Sequence, residues 1–275
     1  MNDNNPIEYS PYFVAFLDIL GFRNLVFGNQ NEKINTYFTL INEITNDLKS
    51  IPIKRNIGSI TISDSVILSI PFDDDNLEVT LSNFRQLCIA IQKIQFKLAL
   101  NNIWMRGAVS FGDACFKKVE NQIVGKAYID AYELEKTAIY PRVVVDNRLI
   151  EKLGFDSSSK LIDKINHFNL GVTEYEATER NILFWWNYNY GQRRKGISYD
   201  VPLFIDYLVY AFESEQDLTD IVSNIGKNIY SGNSIYSKYR WVTDYLLMLC
   251  EFQNTHVSNI DKAIIQREYQ RLQQL

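Results

Sequence analysis

Asp18 lies in the run Tyr12-Phe-Val-Ala-Phe-Leu-Asp18-Ile-Leu-Gly21-Phe22, among residues that are otherwise apolar. A near-continuous apolar run of this length, bracketed by Pro11 and Gly21, predicts a strand buried on both faces. A carboxylate at its end is costly unless a cation or a metal compensates its charge. A second acid is placed in a matching way. Ile60-Thr-Ile-Ser-Asp64-Ser-Val-Ile-Leu-Ser-Ile70 carries Asp64 between two apolar halves, as at the tip of a hairpin. Two carboxylates on neighbouring strands make a site for divalent ions.

A chain of 275 residues can bury one substantial core, as a single large domain or as a domain with an extension. Apolar residues make up 46% and charged residues 22%, the balance of an ordinary globular protein. The formal net charge of −5 argues against a broad nucleic-acid surface while leaving a local basic pocket open. Cys88, Cys115 and Cys250 are far apart with no C-x-x-C pair, so neither a disulfide framework nor a zinc knuckle is indicated, and they read as reduced core residues. The polar opening Met1-Asn-Asp-Asn-Asn5 has no signal-peptide character. No stretch reaches the roughly 18 apolar residues of a membrane span. The expectation is a cytoplasmic chain that does not span a membrane.

Periodicity orders the first half as β-α-β-β-α-β-β-α-β. After the first strand, at about 12–19, Ile34, Phe38, Ile41, Ile44 and Leu48 recur at helical spacing and predict a helix over 32–50, ended by Pro52. The two arms either side of Asp64 follow, closed by Pro71 and the acidic turn Asp73-Asp-Asp75, which reads as solvated because it lacks the alternating ligands of a calcium loop. Leu77, Leu81, Phe84, Leu87, Cys88, Ile91, Ile94 and Leu98 predict a helix over 77–101 that stops at Asn101-Asn102. Two strand-like runs, 103–112 and 114–119, are expected to join around Gly112-Asp113. Residues 125–138 read as a helix and 141–146 as a buried strand. The fold class expected is α+β, a mixed sheet covered by helices.

With that order on the page, a resemblance becomes specific. Phe16-Leu-Asp18-Ile-Leu-Gly21-Phe22 resembles the F-x-D-I-x-G-F opening of the class III nucleotidyl cyclases. Ser63-Asp64 is similar to their second metal position, usually Gly-Asp. Arg106-Gly-Ala-Val-Ser-Phe-Gly112 is similar to their R-x-G-[IV]-x-x-G strand, and Gly125-Lys-Ala-Tyr-Ile-Asp-Ala-Tyr-Glu-Leu-Glu135 occupies the place of their G-D-x-V-N-x-A-x-R-L-E helix. The likeness covers residues 10 to 150. It implies a ferredoxin-like palm, a catalytic domain over 8–208 and a helical extension over 209–275. It further implies two divalent ions, Mn or Mg, held by Asp18, Asp64 and the backbone carbonyl of Ile19, and a homodimer whose sites form between chains.

Closing a nucleoside triphosphate into a cyclic monophosphate needs the ribose 3′-hydroxyl to lose a proton and attack the α-phosphorus in line. Two cations serve both the hydroxyl and the leaving pyrophosphate. His167 and His256 lie near no motif, which argues against histidine-based catalysis. The chain also departs from the family. Its transition-state Asn and Arg fall on Ile129 and Glu133, so activity is either lost or taken up by other groups: Arg106, Lys126, Lys117 or Lys118 as cations, with Asp130 as an orienting acid. The two purine-reading positions fall on Ile60 and Gln122.

Retained metal acids, missing purine readers and an added C-terminal region resemble the bacterial pyrimidine cyclases of the antiphage Pycsar systems. That likeness implies UTP or CTP as substrate, cyclic UMP or cyclic CMP as product, and a separate effector that the product activates. Tyr12, Phe22, Tyr37 and Phe38 are candidates to fill the space a purine would take, ordinary core packing being the competing reading for each. Two alternatives stand beside this one: a cyclase-like domain that binds a nucleotide without turnover, and a palm enzyme that joins nucleotides, which the absence of a G-G-D-[EF] hairpin weakens.

Gly125-Lys126 does not complete a P-loop, because Glu120 occupies the required first glycine. Arg193-Arg-Lys195 reads as an exposed loop. Beyond residue 155, 182–188 and 202–207 read as strands, with helical character over 203–212, 234–252 and 260–275. Trp241, Tyr245, Met248 and Phe252 form a stripe for packing or for a partner.

Overall fold

The computed structural model describes residues 7–50, 57–117, 120–166, 181–185, 203–255 and 260–275. Pro52, Lys118, His167, Arg193-Arg-Lys195, Pro202 and His256 lie outside the described residues, as do 186–188 of the strand expected over 182–188.

Strand β1 (Ser10–Ile19) is an interior strand of the sheet. Its alternation sends Phe13, Ala15, Leu17 and Ile19 into one core and Val14 and Phe16 into another, so it is buried on both faces as its composition requires. Gly21, at φ 78°, turns the chain directly out of β1 into the short helix α1 (Phe22–Phe27). Helix α2 (Asn31–Ser50) follows, then the hairpin of β2 (Gly58–Ile62) and β3 (Ser65–Pro71), then helix α3 (Leu77–Leu100), which Asn76 caps by accepting from the Val79 amide. Strand β4 (Met105–Lys117), strand β5 (Gln122–Gly125), helix α4 (Lys126–Glu135) and strand β6 (Val143–Val145) complete the first half. Helices α5 (Arg148–Lys152) and α6 (Ser158–Asn166) lead to strands β7 (Leu183–Trp185) and β8 (Leu203–Ile205). A 3-10 turn (Leu208–Glu213) then introduces helices α7 (Glu215–Asn228), α8 (Asn233–Thr255) and α9 (Lys262–Gln273).

The sheet order is β2-β3-β1-β4-β6-β8-β7, with β5 paired to β4. β1 is antiparallel to both β3 and β4, β2 is antiparallel to β3, and β6 lies parallel to β4. The β-α-β-β-α-β order with β1 between β3 and β4 is the ferredoxin-like arrangement expected. Helices α2 and α3 cover one face of the sheet and α4 crosses the other. A third cluster joins the far end of α3, Trp104 and Phe204 to α7, α8 and α9. Asn224 of α7 donates to the Ala99 and Leu100 carbonyls in the last turn of α3. Arg142, 1% exposed, lies over the rings of Tyr140, Phe204 and Trp241.

Several expectations are corrected. Gly112-Asp113 is not a hairpin turn: the β1 ladder continues through Tyr12 opposite Gly112 and Ser10 opposite Ala114, so β4 is one strand and the reversal falls between Lys117 and Gln122. A long partner strand supplies hydrogen bonds that outweigh the local turn signal. The buried side of α2 runs through Tyr37, Ile41 and Ile44, which leaves Phe38 37% exposed. Leu77, in the first turn of α3, and Phe252, near the end of α8, are also exposed. Residues 203–212 are not a helix; they divide into β8 and the 3-10 turn, because Phe204 pairs with both Val144 and Phe184. The three cysteines are free and buried.

Gly107 sits opposite Leu17 where β4 leaves no room beside β1 for a Cβ. A Cβ there would lie 2.5 Å from the Phe16 carbonyl oxygen and 2.8 Å from Leu17 Cδ2. Gly107→Ala is expected to force the two strands apart at a cost of about 1–3 kcal/mol, read as a melting temperature lowered by several degrees.

Candidate active site

The acid pair forms where β1 ends and the β2–β3 hairpin turns. Ile62 is paired with Ser65, so Ser63 and Asp64 are the whole turn. Ser63 adopts a left-handed φ of 58°, a conformation that glycine holds more readily. In the β1–β3 register Asp18 stands opposite Ser65, and the Ile19 amide donates to the Asp64 carbonyl at 3.3 Å. These two constraints place Asp18 and Asp64 side by side, close enough for the charge of Asp64 to act on the Asp18 carboxyl.

Burial, then the charges of Asp64 and Glu135, push Asp18 up to about 6, with the Arg106 charge acting in the opposite sense. Asp18 therefore keeps its proton to a higher pH than an ordinary carboxyl in the metal-free chain.

Arg106 of β4 stands opposite Asp18 in the β1–β4 register. Its Nη2 lies 3.7 Å from Asp18 Oδ2, and its Nε lies 2.6 Å from Oε1 of Glu135, a carboxylate buried at the end of α4. The side chains form a row: Asp64, Asp18, Arg106, Glu135. Arg106, expected as a phosphate-side group, is engaged by acids on both sides. Glu135 ends the Leu-Glu of the helix motif, which was the one signal that could have marked it as part of the site. Lys238 of α8 was not foreseen. Burial and the Arg106 charge lower its pKa, and the neighbouring Tyr239 meets Trp104 edge-on at 5.6 Å, just before Arg106 in the chain. Nothing in the local sequence marks Lys238, because only the tertiary packing of α8 brings it there.

The other expected residues are not brought to the acid pair within one chain. Lys117 and Gln122 pair with each other at the far end of β4, roughly 35 Å along the strand from Arg106 at ~3.3 Å per residue. Lys126 starts α4 beside Gly112 and is exposed. Asp130 is 2.8 Å from Arg148, which also binds Asp146. Ile129 is exposed, and Glu133 pairs with Lys136 at 2.7 Å on the outer side of α4. Ile60, 2% exposed, packs with Val14, Phe16 and Ile67. Phe22 and Tyr37 meet edge-on at 6.2 Å next to the Gly21 turn, whereas Tyr12 packs on the α4 face.

Among the described residues no three His, Cys, Asp or Glu side chains gather as a metal cage. Two carboxylates suit a hard divalent ion whose remaining ligands come from water and substrate phosphates. The raised pKa of Asp18 beside Asp64 and Glu135 marks surplus negative charge that such an ion would relieve. Among the described residues no helix is long and apolar enough to cross a membrane.

No family model matches the chain, and no curated protein matches it. Among solved structures it is similar to the guanylyl cyclase Cya2, at 12% identity over 54% of this chain and 80% of that one, with a TM-score of 0.37. It is also similar to the adenylyl cyclase CyaB from P. aeruginosa, at 14% identity over 53% and 81%, TM-score 0.35. A third is the monomeric guanylyl cyclase domain of a RhoGC fusion protein from the aquatic fungus Blastocladiella emersonii, at 13% identity over 53% and 85%, TM-score 0.39.

An acid whose pKa is raised on folding favours the folded state most while protonated. That contribution is full below about 4, the unfolded value, and is lost as pH rises through about 6. The metal-free chain should therefore lose stability on the order of 1–3 kcal/mol from this pair between pH 4 and 7. Thermal melts should show Asp18→Asn flattening that decline, and Mn2+ raising the wild-type melting temperature more at pH 8 than at pH 5.

Proposed function

We propose that this chain is a nucleotidyl cyclase that converts a pyrimidine nucleoside triphosphate, UTP or CTP, into the cyclic monophosphate and pyrophosphate. The observation that carries the reading is the convergence of Asp18 and Asp64, each in a motif that resembles the metal-binding positions of class III cyclases, with the Asp18 pKa raised by burial and by the charge of Asp64. Asp18, Asp64 and the Ile19 carbonyl would hold two divalent ions, Mn or Mg, which supply the charge that lowers the 3′-hydroxyl pKa and stabilises the departing pyrophosphate.

The chain's own residues do the rest. Asp18 and Asp64 fix the ion positions, and Arg106, anchored by Glu135, keeps Asp18 aimed at them. Ile60 is packed in the core and offers no polar group to a base, which favours a pyrimidine over a purine held by hydrogen bonds. Phe22 and Tyr37, at the turn out of β1, would narrow the base pocket.

Lys117, Gln122, Lys126 and Asp130 lie away from the acid pair of their own chain, so in this reading they serve the site of a two-fold partner. The active form is then a homodimer with two equivalent sites. The catalytic unit spans 8–208 and the extension 209–275, with neither nucleic acid nor membrane as a partner. A signalling role in antiphage defence, through a separate effector in the cytoplasm, follows from the Pycsar resemblance alone. The exposed Ile129 and the paired Glu133, at the family's transition-state positions, favour a second reading: a domain that binds a nucleotide without turning it over.

The test is incubation of purified protein with each of four labelled triphosphates and Mn2+, followed by product separation. UTP or CTP is expected to give a cyclic monophosphate, and Asp18→Ala or Asp64→Ala to lower the rate at least ~10³-fold without unfolding the chain. Mixing Asp64→Ala chains with Lys126→Ala chains should restore about a quarter of wild-type sites if each site draws on two protomers. Binding without turnover supports the second reading. Linear or oligomeric products contradict both.

A further inference from the structure

Asp206 follows β8 directly, where its amide donates to the Ile182 carbonyl at 2.9 Å, and the residue is 0% exposed. It stands at the seam between the sheet and the C-terminal helices. Its Oδ1 accepts from the Tyr245 hydroxyl of α8, and the same hydroxyl oxygen accepts from the Leu208 amide at 3.2 Å. Tyr245 is also a ring around which the seam packs, 5.1 Å from Phe204, 5.4 Å from Phe184, 5.5 Å from Trp241 and 5.8 Å from Tyr207. One side chain of α8 thus joins the helical extension to β8, both by packing and by a hydrogen bond to an acid.

That acid is poorly provided for as an anion. Its Oδ2 has no hydrogen-bond partner among the described residues. From α3 it is faced by Gln92, whose amide donates to the Asp206 and Asn181 carbonyls at 2.6 and 2.8 Å. Beside it in the chain is Tyr207, whose hydroxyl donates to the Pro141 carbonyl at 2.9 Å, and α8 brings Tyr245 and Tyr239. Gln92 carries no charge, and burial holds all three tyrosines above their ordinary pKa, so they are neutral. The cation of this region, Arg142, lies over the rings of Tyr140, Phe204 and Trp241. A carboxylate in such surroundings costs far more than a carboxylic acid. Burial accordingly pushes Asp206 up to about 7, against the opposing pull of the Tyr245 hydroxyl and the Val209 amide.

We propose that Asp206 is a pH-sensitive catch between the sheet and the C-terminal helices: protonated, it seats Tyr245 and α8 on β8, and its ionisation loosens α7, α8 and α9 from the sheet edge. The direction follows from burial. An acid held above its unfolded value favours the docked state most while protonated, so its contribution is full below about 4 and is lost as pH rises through about 7. Helices α2 and α3 cover the sheet through a separate cluster, whereas α7, α8 and α9 share the cluster of Tyr245 and are the part set free. The catch is independent of what the acid pair binds.

The experiment is hydrogen–deuterium exchange of the full chain at pH 6 and pH 8.5, corrected for intrinsic chemical exchange, on wild type, Asp206→Asn and Tyr245→Phe. Wild-type protection of α8 is expected to fall roughly 30-fold between the two, as for one ionisation about 1.5 pH units past its midpoint, with α3 staying the better protected helix. Asp206→Asn is expected to keep its pH 6 protection at pH 8.5. Tyr245→Phe removes a donor that favours the anion, so it should move the midpoint of the decline to higher pH, a readout that stands even if Asp206→Asn does not fold. Protection of α8 that is unchanged with pH in wild type overturns the proposal, as does a decline that Asp206→Asn retains or a midpoint that Tyr245→Phe leaves in place. Equal loss of protection in α8 and α3 also overturns it, because ionisation would then unfold the chain as a whole.

Discussion

Two like charges meeting at the end of a buried strand are the constraint around which the molecule is arranged. Asp18, its pKa raised by burial and by the charge of Asp64, stands beside that acid with Arg106 facing it from the adjacent strand. Arg106 in turn is held by a buried Glu135 on the helix that crosses that face of the sheet. The row of charged side chains couples β1, the β2–β3 turn, β4 and α4 at a single point. A buried carboxylate without compensation is expensive, so the registers of three strands and the placement of α4 all bear on how this cost is met.

The rest of the fold keeps that point rigid. β1 has strands on both sides and helices over both faces, which leaves its end little freedom. Gly107 permits the close approach of β1 to β4, and the Ser63-Asp64 turn ties the hairpin back to Ile19. On the far side, α7, α8 and α9 share a core with the end of α3 and with Trp104, so the C-terminal helices press against the residues that lead into Arg106. Lys238 comes to that neighbourhood by this packing. A site of this kind, anchored on strand ends rather than on long loops, suits chemistry whose main demand on the protein is positioning.

Much of this was legible in the residues. The unbroken apolar run of β1, with one carboxylate inside it, carried its own explanation, and the alternation either side of Asp64 marked the hairpin. The helices α2 and α3 followed from their spacing. What escaped sequence reasoning was set by tertiary partners. The Gly112-Asp113 turn signal lost to a long β1 ladder, and the buried side of α2 was rotated onto Tyr37, away from Phe38, by the sheet it packs on. The Arg106–Glu135 pair depends on α4 running back toward the acid pair, a geometry no local pattern encodes. Neither does any pattern announce Lys238, since α8 meets Trp104 only after the whole sheet has formed. The separation of Lys117, Gln122 and Lys126 from Asp18 within one chain follows from strand length alone, and it becomes visible once β4 is known to be continuous.

The central claim is that Asp18 and Asp64 together hold divalent cations. It is tested most directly by anomalous X-ray scattering at the manganese edge from crystals of the protein grown with Mn2+ and a non-hydrolysable pyrimidine triphosphate. The account predicts anomalous peaks bonded to oxygens of both carboxylates, with the triphosphate on their open side. Peaks elsewhere, or a triphosphate bound with no metal between Asp18 and Asp64, would contradict it.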